Sequence, residues 1–94
     1  MIRAVNVDIT LKLFATLTDF LPRERNGRVR DGNALALEVA DDTTVQRVID
    51  EFRLPPAMAH LVLVNGVFVP PAVRSTHPLR AGDTLAIWPP IAGG

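Results

Sequence analysis

The sequence contains no cysteine, and this absence excludes several kinds of function. Disulfide frameworks, thiolate nucleophiles and cysteine-based metal sites all require a sulfur that the chain lacks. A protein without disulfides suits a reducing compartment, so we expect a cytoplasmic location.

The chain also lacks an excess of positive or negative charge. Ten basic residues balance ten acidic ones, and Lys12 is the only lysine. The balance gives no electrostatic reason to expect nucleic acid or a membrane surface as a partner. No apolar run approaches the roughly 20 residues that span a bilayer, and Met1-Ile2-Arg3-Ala4 lacks the layout of a signal peptide.

The chain also lacks the motifs of a self-sufficient enzyme. It has no phosphate-binding loop, no glycine-rich dinucleotide fingerprint and no nucleophile–histidine–acid pattern. His60 and His77 lie far apart without grouped carboxylates, so no metal site is predicted. Its 94 residues make one small domain, with a single core and no room for an internal active site.

Alternating apolar residues predict two strands in the first half. Val5 to Leu13 alternate with polar residues, and Leu35, Leu37 and Val39 alternate again. Between them, Leu17 to Leu21 predicts a short helical turn ended by Pro22. Arg23 to Asn33 carries four arginines and predicts an exposed loop, which is either a solvated connection or a basic contact for an acidic partner.

One amphipathic helix is predicted in the middle of the chain. Either Thr43, paired with Gln46 in a capping box, or Thr44 can cap its amino terminus. Its apolar stripe has helical spacing, and the helix must end before Pro55-Pro56. The stripe consists of Val45, Val48, Ile49 and Phe52.

Three more strands follow. Asn65-Gly66 between two apolar runs predicts a tight hairpin, and Thr84 to Trp88 predicts the last strand. The order strand, strand, helix and three strands predicts an α+β two-layer fold, in which one helix covers one face of a five-strand sheet. Part of the other face should stay open. Phe68 is expected in the core or on that face, and Trp88 in the core or as a partner anchor.

Pro89-Pro90 should end the sheet and divide a domain, residues 1–89, from a tail, residues 90–94. Fully extended, the tail reaches about 17 Å. Gly93 and Gly94 lack side chains, so the tail can thread a narrow tunnel and present its carboxylate. With a pKa of about 3.5, that carboxylate is ionised and unreactive toward nucleophiles at neutral pH. Its activation requires another enzyme and ATP.

The last sixteen residues are the most specific part of the chain. Leu85-Ala86-Ile87-Trp88-Pro89-Pro90-Ile91-Ala92-Gly93-Gly94 resembles the ending of the ubiquitin-like sulfur carriers of the MoaD/ThiS type. Val64-Asn65-Gly66, the turn before the last strand and Thr44-Val45 also resemble that family. The chain departs from it in a longer first hairpin, residues 22–34, and in Trp88, where Phe is usual.

The resemblance implies a β-grasp fold with a mixed sheet of about five strands, and a carrier with no catalytic centre and no bound cofactor. An adenylyltransferase of the ubiquitin-activating type would adenylate Gly94 with ATP, and a sulfur donor protein would convert it to a thiocarboxylate. In molybdopterin synthesis, the sulfur would go to the pterin precursor within a complex with the synthase large subunit. Partners would recognise the tail through Gly93, Ala92 and Ile91, and the body through Trp88, Pro89, Pro90 and Phe68.

Three alternatives stay open at this point. The chain could carry sulfur for the thiazole of thiamine, or it could be a protein modifier conjugated to target lysines through Gly94. It could also be a ubiquitin-like subunit whose tail only docks. Chain building by a modifier would be limited to Lys12 and the amino terminus.

Overall fold

The computed structural model describes residues 5–91. In chain order the elements are β1 (Asn6–Leu13), a first 3₁₀ helix (Ala15–Phe20), β2 (Glu24–Arg25), β3 (Arg28–Val29), β4 (Ala34–Ala40), α1 (Val45–Glu51), β5 (Leu61–Val64), β6 (Val67–Phe68), a second 3₁₀ helix (Pro71–Val73) and β7 (Thr84–Trp88). The five predicted strands, the helix and the short helical turn are all present.

Five strands form one mixed sheet in the order β4-β1-β7-β5-β6. β1 is antiparallel to β4, with which it forms a long-looped hairpin, and it is parallel to β7. β5 is antiparallel to both β7 and β6. The first and last strands therefore lie side by side inside the sheet, and the C-terminal segment leaves from a central strand.

Helix α1 covers one face of this sheet. The Thr44 hydroxyl accepts a hydrogen bond from the Arg47 N–H at 3.2 Å, so Thr44 is the cap. The whole predicted stripe is buried in one core with the inward residues of β1 and β7. The helix ends as Arg53 adopts a φ of 56° and the Leu54 N–H donates to the Ile49 carbonyl.

The arginine-rich segment between β1 and β4 is more ordered than a solvated loop. β2 and β3 pair as a small antiparallel hairpin. Arg25 forms an ion pair with Glu51 at 3.1 Å, and Arg28 forms one with Asp8 at 2.9 Å. Arg30 donates hydrogen bonds to two main-chain carbonyls near the first 3₁₀ helix. Three of the four arginines therefore hold the hairpin against its own domain, because their partners are internal.

Asn65 connects two turns. It and Gly66 adopt φ values of 52° and 83°, as the predicted tight hairpin requires. The Asn65 amide also donates to the Asp83 carboxylate at 2.8 Å and accepts from the Thr84 N–H at 2.9 Å. These bonds join the β5–β6 turn to the start of β7, so Asn65 helps to fix where the last strand begins.

We expect Asn65→Ala to lower the free energy of unfolding by roughly 2 kcal/mol, through an unfavourable positive φ and two lost side-chain hydrogen bonds. Asn26→Ala is the matched control, because Asn26 has a φ of 51° in the β2–β3 turn. Having no such link to another element, it should lose only about 1 kcal/mol. Urea unfolding measures both variants, and equal losses would contradict a linking role for Asn65.

Arg74 is the charged side chain that the described part of the fold buries, with only 5 % of its surface exposed. Its Nε donates to the Val69 carbonyl at 3.1 Å, Nη1 to Ala59 at 2.8 Å and Nη2 to His60 at 3.3 Å. Burial lowers the pKa of Arg74, although a guanidinium stays charged at neutral pH. Arg74 therefore joins the chain before β5 to the chain after β6.

Candidate docking face and the exit of the C-terminal tail

The sheet face opposite α1 consists of alternate residues of each strand. In β7, Leu85 and Ile87 are fully buried in the core, so Ala86 and Trp88 belong to the opposite face. Cross-strand neighbours share a face: Lys12 lies beside Ala86, and Leu61 lies opposite Trp88. Arg28 of β3 reaches Asp8 on this face, and we call the face opposite α1 the open face.

An aromatic pair marks the end of the open face from which the tail leaves. The rings of Phe14 and Trp88 are stacked, with centroids 4.0 Å apart and planes inclined by 11°. The Phe14 N–H donates to the Ile87 carbonyl at 3.1 Å, which continues the β1–β7 pairing. Trp88 is half-buried and is thus neither a core residue nor a free side chain. Phe14 was not among the predicted site residues. It follows Asn6, Asp8, Thr10 and Lys12 in the series of alternate β1 positions that face away from the core.

Phe68 also lies on the open face, where it pairs in register with Leu63 of β5. Half of its surface is exposed, so the interpretation of Phe68 as a core residue is wrong. Its apolar neighbours across the sheet are Leu63 and then Ala86. We call Phe14 and the apolar residues of β5, β6 and β7 on this face the docking patch: Phe14, Leu61, Leu63, Phe68, Trp88 and the buried Ala86.

The tail begins next to the docking patch. The Trp88 carbonyl accepts a hydrogen bond from the His60 N–H at 3.1 Å, the last such bond along β7. Pro89 and Pro90 have no N–H to continue the sheet. Pro89 is half-buried, Pro90 is exposed and Ile91 is 84 % exposed. The predicted residues Ala92, Gly93 and Gly94 lie outside the described residues.

The open face offers surface for contact. Residues 5–91 hold no group of three or more His, Asp or Glu side chains able to bind a metal ion. No helix in that range is long and apolar enough to cross a membrane. A depression of about 490 Å³ lies beside α1 and β4, lined in part by Glu38 and Ala40 of β4 and by Gln46 and Arg47 of α1. An apolar patch next to an exposed chain exit can bind a partner and present a terminus to it.

Known structures share this architecture. A Haloferax volcanii protein, HVO 2177, is 23 % identical with a TM-score of 0.67, over 95 % of this chain and 88 % of that one. SAMP1 from Haloferax volcanii is 23 % identical with a TM-score of 0.62, over 93 % and 99 %. A Pyrococcus furiosus protein, provisionally assigned as subunit 1 of a molybdopterin converting factor, is 17 % identical with a TM-score of 0.61, over 90 % and 99 %. The fold is the ubiquitin-like β-grasp.

The chain belongs to the ThiS family, whose model matches residues 11–94. It is thus a ubiquitin-like protein of the MoaD/ThiS sulfur-carrier type, which confirms the resemblance found in the sequence. No functionally curated protein matches the chain significantly by sequence.

Proposed function

We propose that this protein carries sulfur as a thiocarboxylate on Gly94 for molybdopterin synthesis in the cytoplasm. A partner adenylyltransferase joins the Gly94 carboxylate to AMP and releases pyrophosphate from ATP. A sulfur donor protein then supplies sulfur at the oxidation level of sulfide, which attacks the acyl-adenylate carbonyl, expels AMP and leaves the thiocarboxylate. The carrier next binds the synthase large subunit, which moves the sulfur to the pterin precursor.

The observation that carries this proposal is the position of the docking patch. Its aromatic pair lies at the end of β7, directly before the tail, so a partner bound there has the tail within reach. Two consecutive prolines restrict φ and direct the chain away from the sheet. The body would therefore supply affinity, while the tail supplies the reacting carboxylate.

The composition of the tail supports threading into a partner. Ile91 is exposed and offers an apolar contact, and the three small residues after it add little width. A glycine terminus also leaves the carbonyl carbon unhindered during adenylation and sulfur attack. Tail recognition would then involve Ile91, Ala92 and Gly93, and body recognition would involve Trp88, Pro89, Pro90 and Phe68.

The molybdopterin destination is supported by the shared fold of the Pyrococcus furiosus protein and by the aromatic-Pro-Pro ending. A protein modifier is the second candidate, since the fold shared with SAMP1 serves that role equally well. Both functions begin with the same acyl-adenylate. They differ in the nucleophile that follows, which is sulfur for a carrier and a lysine amine for a modifier.

Intact-mass spectrometry after co-expression with the adenylyltransferase and sulfur donor of the source organism tests the proposal. We expect the mass of the unmodified chain plus the difference between sulfur and oxygen, with the change located at Gly94 by peptide mapping. Adding the synthase large subunit and the pterin precursor should return the original mass. A ladder of larger conjugates would support the modifier, and an unchanged mass would contradict the sulfur carrier.

A further inference from the structure

Lys12 lies on the open face near the end of β1, with small neighbours on both sides. The sheet register places it beside Ala34 of β4 and beside Ala86 of β7. Ala86 in turn pairs with Leu63, which pairs with Phe68. Within the five strands this row contains one charged residue, Lys12, which is half-buried before any partner binds, and beyond Ala34 the row continues to Asp31.

No carboxylate within the described range neutralises Lys12. The ion pairs among residues 5–91 are Arg25–Glu51 and Arg28–Asp8, and neither includes it. Asp8 of β1 and Glu38 of β4 are neighbours across the two strands, toward the start of β1. Asp8 already binds Arg28. Lys12 therefore has no ion-pair partner among the described residues, although Asp8, Glu38 and Asp31 place carboxylates elsewhere on the same face.

A partner that covers the docking patch must also cover this ammonium. Removing a charge from water without a counter-ion is strongly unfavourable, so a purely apolar cover would bind poorly. A carboxylate facing Lys12 would offset that cost, and partners lacking one would be rejected. Lys12 would then determine which partner binds: an apolar surface with a carboxylate opposite Lys12 would bind more tightly than one without.

We propose that Lys12 is a specificity-determining residue, and that the adenylyltransferase carries an aspartate or glutamate opposite it within an apolar docking surface. This inference rests on the proposed function, because it concerns the partner that function requires. It specifies the chemical group, a carboxylate, that the partner places opposite one position of the open face.

The test is the affinity of the wild-type and variant chains for the purified adenylyltransferase, measured by isothermal titration calorimetry without ATP. Lys12→Met keeps the length of the side chain and removes its charge. We expect Lys12→Met to raise Kd roughly 10- to 100-fold, since it leaves the partner carboxylate buried and unpaired. Lys12→Arg should recover most of the affinity, and Lys12→Glu should bind more weakly than Lys12→Met.

Salt dependence separates pairing from packing. The wild-type Kd should rise between low and high salt, and the Lys12→Met value should rise less. Arg47→Met is the matched control: Arg47 is exposed on α1, on the other layer, and should leave both Kd and its salt dependence unchanged. Circular dichroism checks that each variant is folded.

A Lys12→Met variant that binds as tightly as wild type, or tighter, would overturn the lysine proposal. If the wild-type chain is still loaded with sulfur in that case, the proposed function survives alone. If the wild-type chain binds and gains no sulfur, the proposed function fails whatever Lys12 does. Absence of wild-type binding would overturn both.

Discussion

Deleting Gly94 should abolish thiocarboxylate formation and leave the fold unchanged. The deletion moves the terminal carboxylate back by one residue, about 3.4 Å. Misplacing a reacting group by even 1 Å can cost on the order of 100-fold in rate, so we expect a loss of at least that size. Intact-mass spectrometry and ATP–pyrophosphate exchange with the adenylyltransferase measure the two steps.

Two further variants show whether the length of the tail or the width of its side chains limits loading. Gly94→Ala keeps the reach of the tail and adds a methyl group beside the reacting carbonyl, so loading should be slow but detectable. Ile91→Ala keeps both the reach and the glycines, and should raise KM for the adenylyltransferase with little change in kcat. All three variants should match the wild-type urea midpoint. Normal loading of the shortened chain would exclude Gly94 as the reacting residue.

Replacing Arg74 should have the largest effect on stability. We expect Arg74→Met to lower the free energy of unfolding by roughly 2–4 kcal/mol, because it leaves three buried or half-buried carbonyls without their donors. A small domain has only about 5–15 kcal/mol in total. Urea unfolding followed by the emission of Trp88, the only tryptophan, measures the loss.

Arg74→Lys and Arg47→Met are the controls for this prediction. Lysine keeps the charge but cannot donate in three separate directions from one plane, so it should recover less than half of the loss. Arg47→Met removes an exposed arginine and should change stability by less than about 0.5 kcal/mol. If Arg74→Met is as stable as Arg47→Met, the three hydrogen bonds contribute nothing net.

The elements of the fold were predictable where burial is one-sided. A strand with one face in the core shows period two, as β1 and β4 do, and a helix on a sheet shows a stripe, as α1 does. Asn65-Gly66 was predictable because few residues tolerate positive φ at both positions. The pairing of β1 with β7 could not be read locally, since it joins the two ends of the chain.

Parts of the open face escaped prediction for a related reason. Val67-Phe68-Val69 is a continuous apolar run, so the pattern does not show that Val69 is buried while Phe68 is half exposed. Phe14 directly follows Leu13, the last residue of β1, so the alternation of apolar and polar residues stops there. The partners of Arg74 are main-chain carbonyls, which have no sequence signature, so its burial was invisible.

Because β7 is the central strand, the sheet can be completed only after the residues just before the tail have been synthesised. Without β7, the sheet would separate into the β4–β1 pair and the β5–β6 hairpin, because β7 alone joins them. β7 is synthesised after the other four strands of the sheet, so the sheet cannot be completed before the residues just ahead of the tail are available. A prematurely terminated chain would have neither Trp88 nor a complete sheet to offer. An activating enzyme that first recognises the sheet would therefore bind truncated products poorly, and the topology would then act as a check on chain integrity.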